Sequence, residues 1–378
     1  MNSIPQIPVA VFMTSFEAGG TEKQMTELIR RLDRRKFKVH AVCFRPIGAY
    51  LSRVLERAAS VVEFPVKGFA RPETMRMMLR FARWCRRERI AVVQTCDFYS
   101  NVFGLPGAFF GGVGVRIGSR RELNPDKSPA QIRLQRMAYR FATRIVANSP
   151  SASRILFDEG VPTTRVNVIP NGLDGAAYAD RVSRGPISRV VTVANLRPEK
   201  RHETLIVAAS LLAQSCPGLR YRIVGDGSRR HDLEALARIK GVDHIVEFTG
   251  HRDDIPAVLS SSDLFVLPSR SEAFPNGVIE AMAAALPVVA SAVGGLRDLI
   301  DPGRTGILVP PDDPQLLAAA LKGLYEDPGR AWEIGAAARG EVLARYSFER
   351  MVSAFEDLYE AMLREHAVER PQEARAGV

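Results

Sequence analysis

Apolar residues in the first half of the chain come in short runs separated by segments of helical spacing. Val9 to Thr14, Val39 to Phe44, Ser60 to Phe64, Ala91 to Thr95, Arg116 to Ser119 and Arg144 to Asn148 read as buried strands. Between the first two, Met25, Leu28, Ile29 and Leu32 recur at helical spacing over Glu22 to Leu32. The alternation breaks near Ile169-Pro170-Asn171-Gly172, and a polar, Gly- and Pro-bearing stretch runs on to Ser188. It then restarts. Arg189 to Ala194, Arg220 to Val224, Ile245 to Thr249, Leu264 to Leu267, Val288 to Ser291 and Gly306 to Val309 read as six further strands, with helical segments between. Strand–helix alternation predicts parallel sheets with right-handed crossovers. Two such sheets in tandem predict an α/β protein of two Rossmann-like domains, with a ligand cleft outside their carboxyl ends.

The boundaries follow from this pattern. Residues 1–178 form the first domain and 179–347 the second. Residues 348–368 form an amphipathic helix with Met351, Phe355, Leu358, Tyr359 and Met362 on one side, and 369–378 a polar tail expected to be disordered. A chain of 378 residues is long enough for two cores.

Composition narrows the classes. No run is apolar enough for a membrane span, and the N-terminus does not read as a signal peptide. Four scattered cysteines suggest reduced thiols and a cytoplasmic protein. The net charge of +10 fits a nucleic acid, an anionic membrane surface or phosphorylated small molecules. No nucleic-acid module is present, so nucleic acid is not expected as a partner. Met75 to Arg89 reads in two ways. It is either a membrane-surface helix inserting Phe81 and Trp84, with the protein then peripheral at the inner face of the cytoplasmic membrane, or a crossover helix with solvated arginines. The six histidines do not cluster at ligand spacing and no Asp-x-Asp triplet occurs, so no metal and no cofactor are expected.

Four segments carry candidate chemistry. Gly19-Gly20 ends the first strand's loop, where bare amides could meet a phosphate or simply make a turn. Asn195-Leu196-Arg197-Pro198-Glu199-Lys200 follows the first strand of the second domain, and its cations could neutralise a diphosphate or belong to a solvated loop. Val224-Gly225-Asp226-Gly227 ends a strand, in a structural or a ligand-contacting turn. Pro268 to Gly295 holds Glu272 and Glu280 on either side of Phe274-Pro275-Asn276-Gly277, a turn that opens a helix. Amides near Gly277 and Val278 form an anion site, and each carboxylate can accept hydrogen bonds from a vicinal diol. Glu280 is expected in the first turn of that helix, and Glu272 in the loop before it.

These segments together resemble glycosyltransferase family 4, retaining enzymes of the GT-B fold. The match adds Phe16 to Glu22, Asn148 to Ser151, Val168 to Asp174, Phe248 to Gly250, Gly294-Gly295 and Gly306 to Val309, in order along nearly the whole chain. The resemblance implies metal-independent transfer of a sugar from a nucleotide-sugar donor to an acceptor hydroxyl. Such transfer serves polysaccharide, lipopolysaccharide or glycolipid assembly, with a glycan or lipid-linked acceptor. It implies that Glu272 contacts the donor sugar, Glu280 the ribose and Lys200 the diphosphate. Phe274, Asn276, Gly277 and Val278 would form the donor loop, Gly19 and Gly20 would approach the donor from the first domain, and the last helix would return to that domain. Two departures stand out. Asn195 occupies the place of a common arginine, with Arg197 two residues later as a substitute. Ile117 to Arg121 has arginines where a histidine is common. These departures leave open a GT-B protein without transferase activity, or another GT-B enzyme such as a sugar-nucleotide epimerase. A phosphorylase would need a pyridoxal phosphate lysine, for which no motif occurs.

Overall fold

The computed structural model describes residues 6–69, 71–123, 127–178 and 185–376. The chain forms two compact units, Met1–Gly172 with Phe348–Val378, and Leu173–Ser347.

The first unit is built on seven strands: β1 (Ile7–Met13), β2 (Phe37–Cys43), β3 (Ser60–Glu63), β4 (Val92–Thr95), β5 (Val115–Arg120), β6 (Arg144–Ala147) and β7 (Val166–Val168). They lie in the order β3-β2-β1-β4-β5-β6-β7, each pair parallel. β1 shows why. A parallel strand covered on both faces is apolar at every position. Val9, Val11 and Met13 enter one core layer, and Ala10 and Phe12 the other. Its helices are α1 (Gly20–Arg31), α2 (Leu51–Leu55), α3 (Pro72–Arg87), α4 (Phe98–Phe110), α5 (Pro129–Tyr139) and α6 (Pro150–Asp158). β7 is the one strand that the apolar pattern misses. It has three residues, and its exposed Val168 breaks the buried run.

The second unit has six strands: β8 (Arg189–Val193), β9 (Arg220–Val224), β10 (Val246–Gly250), β11 (Leu264–Leu267), β12 (Val288–Ser291) and β13 (Ile307–Val309). Their order is β10-β9-β8-β11-β12-β13, again all parallel. The helices between and after them are α7 (His202–Leu212), α8 (Arg230–Ile239), α9 (Ile255–Ser260), α10 (Asn276–Ala283), α11 (Gly294–Leu299), α12 (Pro314–Glu326) and α13 (Pro328–Arg345). Strand order reverses between β1 and β4 in the first sheet, and between β8 and β11 in the second. Ligands of open α/β sheets bind outside the strand ends at such reversals.

The last helix, α14 (Phe348–Ala376), completes the first unit. Met351, Phe355, Leu358, Tyr359 and Met362 are buried in the layer that holds Val9 and Val11. Two expectations need correction, and one open alternative is decided. The unit boundary lies at Gly172 rather than residue 178, because Leu173 and Tyr178 pack into the second unit's core beside Val191 and Met282. The stretch from residue 369, set apart as a disordered tail on its polarity, continues the helix to Ala376; its Glu, Ala, Arg and Gln residues are good helix formers. In α3, Phe81 and Trp84 do not face outward. Both are buried and stack on each other, with ring centroids 5.9 Å apart. α3 is a crossover helix that exposes Arg76, Arg80, Arg83 and Arg87. Among the described residues, no helix is long and apolar enough to cross a membrane.

Candidate active site

In the second unit the two loops that leave β8 and β11, on either side of the strand-order reversal, carry the candidate residues. The β8 loop runs through Asn195 and Arg197, both exposed, into a single turn at Pro198–Lys200. Hydrogen bonds from the Ala194 amide to Val224, from Leu196 to Asp226 and from Arg229 to Leu196 clamp it against Val224-Gly225-Asp226-Gly227. That glycine-bearing turn therefore has a structural role, holding its neighbour's backbone. Arg197 makes no ion pair among the described residues, whereas Lys200 does: its Nζ lies 2.6 Å from Glu272 Oε1.

Glu272 sits in the β11 loop and is almost buried, at 7% exposure. Ser269 Oγ donates to the same carboxylate oxygen at 2.6 Å. The backbone on either side is fixed as well. The Arg270 amide donates to the Glu199 carbonyl at 2.8 Å, and the Gly295 amide donates to the Glu272 carbonyl at 2.7 Å. Gly295 must be glycine, because a Cβ there would strike the Ala273 carbonyl. Gly277 has a similar reason: its Cβ would lie 2.8 Å from the Val193 carbonyl, so glycine lets the start of α10 press against the end of β8.

The first turn of α10 holds Asn276, Gly277 and Val278, and its amides carry the partial positive charge of a helix N-terminus. The Val278 amide already reaches the Pro275 carbonyl at 3.2 Å. Glu280 is the fifth residue of the helix, so it begins the second turn rather than lying in the first. It is 6% exposed and close enough to Tyr178 to help push that phenol upward, behind the larger effect of burial. Phe274 packs edge-on against Tyr346 at 5.3 Å. One neighbour was not singled out from the sequence. His202, which opens α7, is buried with neither ring nitrogen bonded, and burial together with the Lys200 charge pushes it down to about 4.

The first unit has its own strand-end constellation. Thr14, after β1, donates from its amide and its hydroxyl to Asp97, after β4, at 2.9 and 3.0 Å. Asp97 also caps α4 in a reciprocal box with Ser100, and burial raises its pKa. The Asp-Phe-Tyr-Ser spacing before an apolar run is a capping signature that could have revealed it. At Gly19-Gly20 an added Cβ on Gly19 would collide with the Glu22 carboxylate, so the turn's own acid lies over it. Gln24 bonds both the amide and the carbonyl of Gly172, at 2.9 and 2.8 Å.

Arg120 ends β5, Arg121 follows it, and their side chains go to different partners. Arg120 is fully buried, paired with Glu159 and 5.9 Å from the centre of the Tyr139 ring. Arg121 instead donates to Asn171 Oδ1 at 2.6 Å, and burial pushes its guanidinium down to about 10. Arg120 is thus a packing residue.

Two family models match in tandem. Glycosyltransferase Family 4 covers residues 18–176, and Glycosyl transferases group 1 covers residues 187–327. With two Rossmann-like parallel α/β units and these matches, the chain belongs to the GT-B glycosyltransferases of family 4, group 1. Glycogen synthase of Mycobacterium tuberculosis is 33% identical over 214 residues, 55% of this chain and 51% of the relative. D-inositol 3-phosphate glycosyltransferase of Salinispora tropica is 32% identical over 255 residues, 60% of this chain and 52% of the relative. The chain spans about half the length of these curated relatives. In fold it is similar to Anabaena HepE, solved with UDP-glucose, at a TM-score of 0.83 and 22% identity over 94% of this chain and 100% of that one. Sucrose-phosphate synthase of Thermosynechococcus elongatus gives 0.81 and 20% over 95% and 100%.

Proposed function

We propose that this protein is a retaining, metal-independent glycosyltransferase that moves a sugar, a hexose or a close relative, from a nucleotide-sugar donor to an acceptor hydroxyl. The observation that carries the reading is the placement of Lys200, Glu272 and the N-terminus of α10 on loops flanking one strand-order reversal. In this reading Glu280 holds the ribose and Glu272 the sugar hydroxyls. Phe274, Asn276, Gly277 and Val278 form the donor loop.

The chemistry is departure of a nucleoside diphosphate. The bond from the anomeric carbon to the phosphate oxygen breaks, its electron pair stays on that oxygen, and one more negative charge develops on the already doubly charged diphosphate. Lys200, Arg197 and the α10 amides are fixed positive potential for that charge, present before the reaction and needing no reorganisation. The acceptor oxygen bonds to the anomeric carbon from the face the phosphate leaves. The departing phosphate oxygen takes the acceptor's proton, so configuration is retained without a covalent enzyme intermediate. Glu272 stabilises the oxocarbenium-like sugar electrostatically. The first unit takes the acceptor, a glycan or lipid-linked hydroxyl in polysaccharide or glycolipid assembly.

The test is thermal shift and calorimetry with UDP-, GDP- and ADP-sugars in EDTA, with Glu280→Ala and Lys200→Ala beside the wild type. Stabilisation by one donor class, lost in both variants, is expected. A folded protein that no donor stabilises refutes the reading.

A further inference from the structure

Arg121 has an unbalanced charge. Its Nε and Nη1 are buried without a hydrogen-bond partner, and only Nη2 is used, on the neutral Asn171. Among the described residues no carboxylate reaches it at ion-pair distance. Asp97 is committed to Thr14 and Ser100, and Glu22, over Gly19, acts on Arg121 only through space. Arg120 next door also has unbonded nitrogens, but it has Glu159 and the Tyr139 ring as compensation. A guanidinium with two buried, unbonded nitrogens, and with neither a carboxylate in contact nor a ring over it, is a costly arrangement unless something else supplies the anion.

Its position says where that anion comes from. Arg121 follows β5, beside the β1–β4 strand-order reversal. Through Asn171 it is tied to the Ile169–Gly172 segment, which Gln24 of α1 also grips. The guanidinium is thus held in place at the strand-end site of the first unit, with donors to spare. Arginine suits oxyanions, since it stays charged and presents several donors in a rigid plane.

We propose that Arg121 is a specificity residue that binds an anionic oxygen group, a phosphate or a carboxylate, on the acceptor. The acceptor is therefore a negatively charged sugar, polyol or lipid-linked glycan rather than a neutral one. The assignment to an acceptor rests on the transferase reading above. The anion site itself does not.

The test uses the full chain saturated with whichever of UDP, GDP and ADP it binds, so that the Lys200 region is occupied. Methyl phosphate, acetate and the neutral control glycerol are titrated in by calorimetry. One saturable site for methyl phosphate or acetate is expected, and none for glycerol; the preferred anion tells phosphate from carboxylate. Arg121→Gln should weaken that site at least tenfold, and Arg121→Lys by less. Affinity for that nucleoside diphosphate should be unchanged in both, which also shows that the variants are folded. Equal anion binding by wild type and Arg121→Gln, or no saturable anion binding by the wild type, overturns the proposal. If none of UDP, GDP and ADP binds the wild type, the transferase reading fails, and the titration is repeated in Lys200→Ala. Anion binding there that Arg121→Gln abolishes keeps the anion site and removes its assignment to an acceptor.

Discussion

Lys200 and Glu272 are 72 residues apart in sequence, and their side chains meet at 2.6 Å. Glu272 is the more buried partner, so removing the lysine alone leaves a desolvated carboxylate with Ser269 as its one remaining side-chain partner among the described residues. Lys200→Met should cost about 1–3 kcal/mol, less than a fully buried pair because the lysine is partly exposed. Adding Glu272→Gln should recover part of that stability without restoring donor binding. Urea denaturation and UDP calorimetry on the two singles and the double separate these effects.

Gly295 ties the Glu272 loop to α11. Gly295→Ala drives a methyl group into the Ala273 carbonyl, and the loop has to move. A loss of about 1–3 kcal/mol is expected, as for other overpacked sites. UDP-sugar affinity should fall with it, because Glu272 shifts along with its backbone. A variant that denatures like the wild type and binds the donor as tightly contradicts this role.

His202 makes the second unit sensitive to acid. Its folded pKa is lowered to about 4, from the ordinary imidazole value of 6.5, by burial first and the Lys200 charge second. Between those two values the unfolded chain takes up a proton that the folded one refuses. Stability should therefore be complete above pH 6.5 and decline as pH falls towards 4, by on the order of 3 kcal/mol in all. His202→Leu should flatten that part of the stability-against-pH curve. Lys200→Met should move the decline to lower stability loss, because the neighbouring cation is gone.

Arg120 and Arg121 should respond in opposite ways. Arg120→Met breaks the ion pair to Glu159 and the contact with Tyr139, and should cost about 3 kcal/mol. UDP and anion affinities should be unchanged, since Arg120 faces the helices. Thermal denaturation beside calorimetry checks both halves of this expectation.

The alternation of apolar runs was enough to place twelve of the thirteen strands, because strands covered on both faces stay largely apolar even where single residues such as Lys38 and Glu247 are polar. β7 escaped because it is a three-residue strand with an exposed valine. Glu272, Glu280 and Lys200 stood out through motif spacing, but their mutual geometry did not. The Lys200–Glu272 contact depends on β8 and β11 being neighbours, which no local pattern encodes. The role of Gly295 is equally non-local, as it lies in what Gly295 touches. The two readings of α3 were inseparable on the sequence, since Phe81 and Trp84 suit a core and a lipid surface alike, and only packing decides. For the same reason Arg120 and Arg121 are equivalent on the sequence, and only their contacts separate them.

The return of α14 to the first unit sets an order of events during synthesis. Domains commonly fold as they emerge, the N-terminal one first. Here Phe355 and Tyr359 fill the layer under β1 and β2, so the first unit to leave the ribosome cannot finish its core until the last helix has been made. The second unit, continuous from Leu173 to Ser347, waits on nothing downstream. The half of the protein made first is therefore the half completed last. In the interval its unfilled apolar layer is the surface most exposed to chaperones, to proteases and to other copies of the chain.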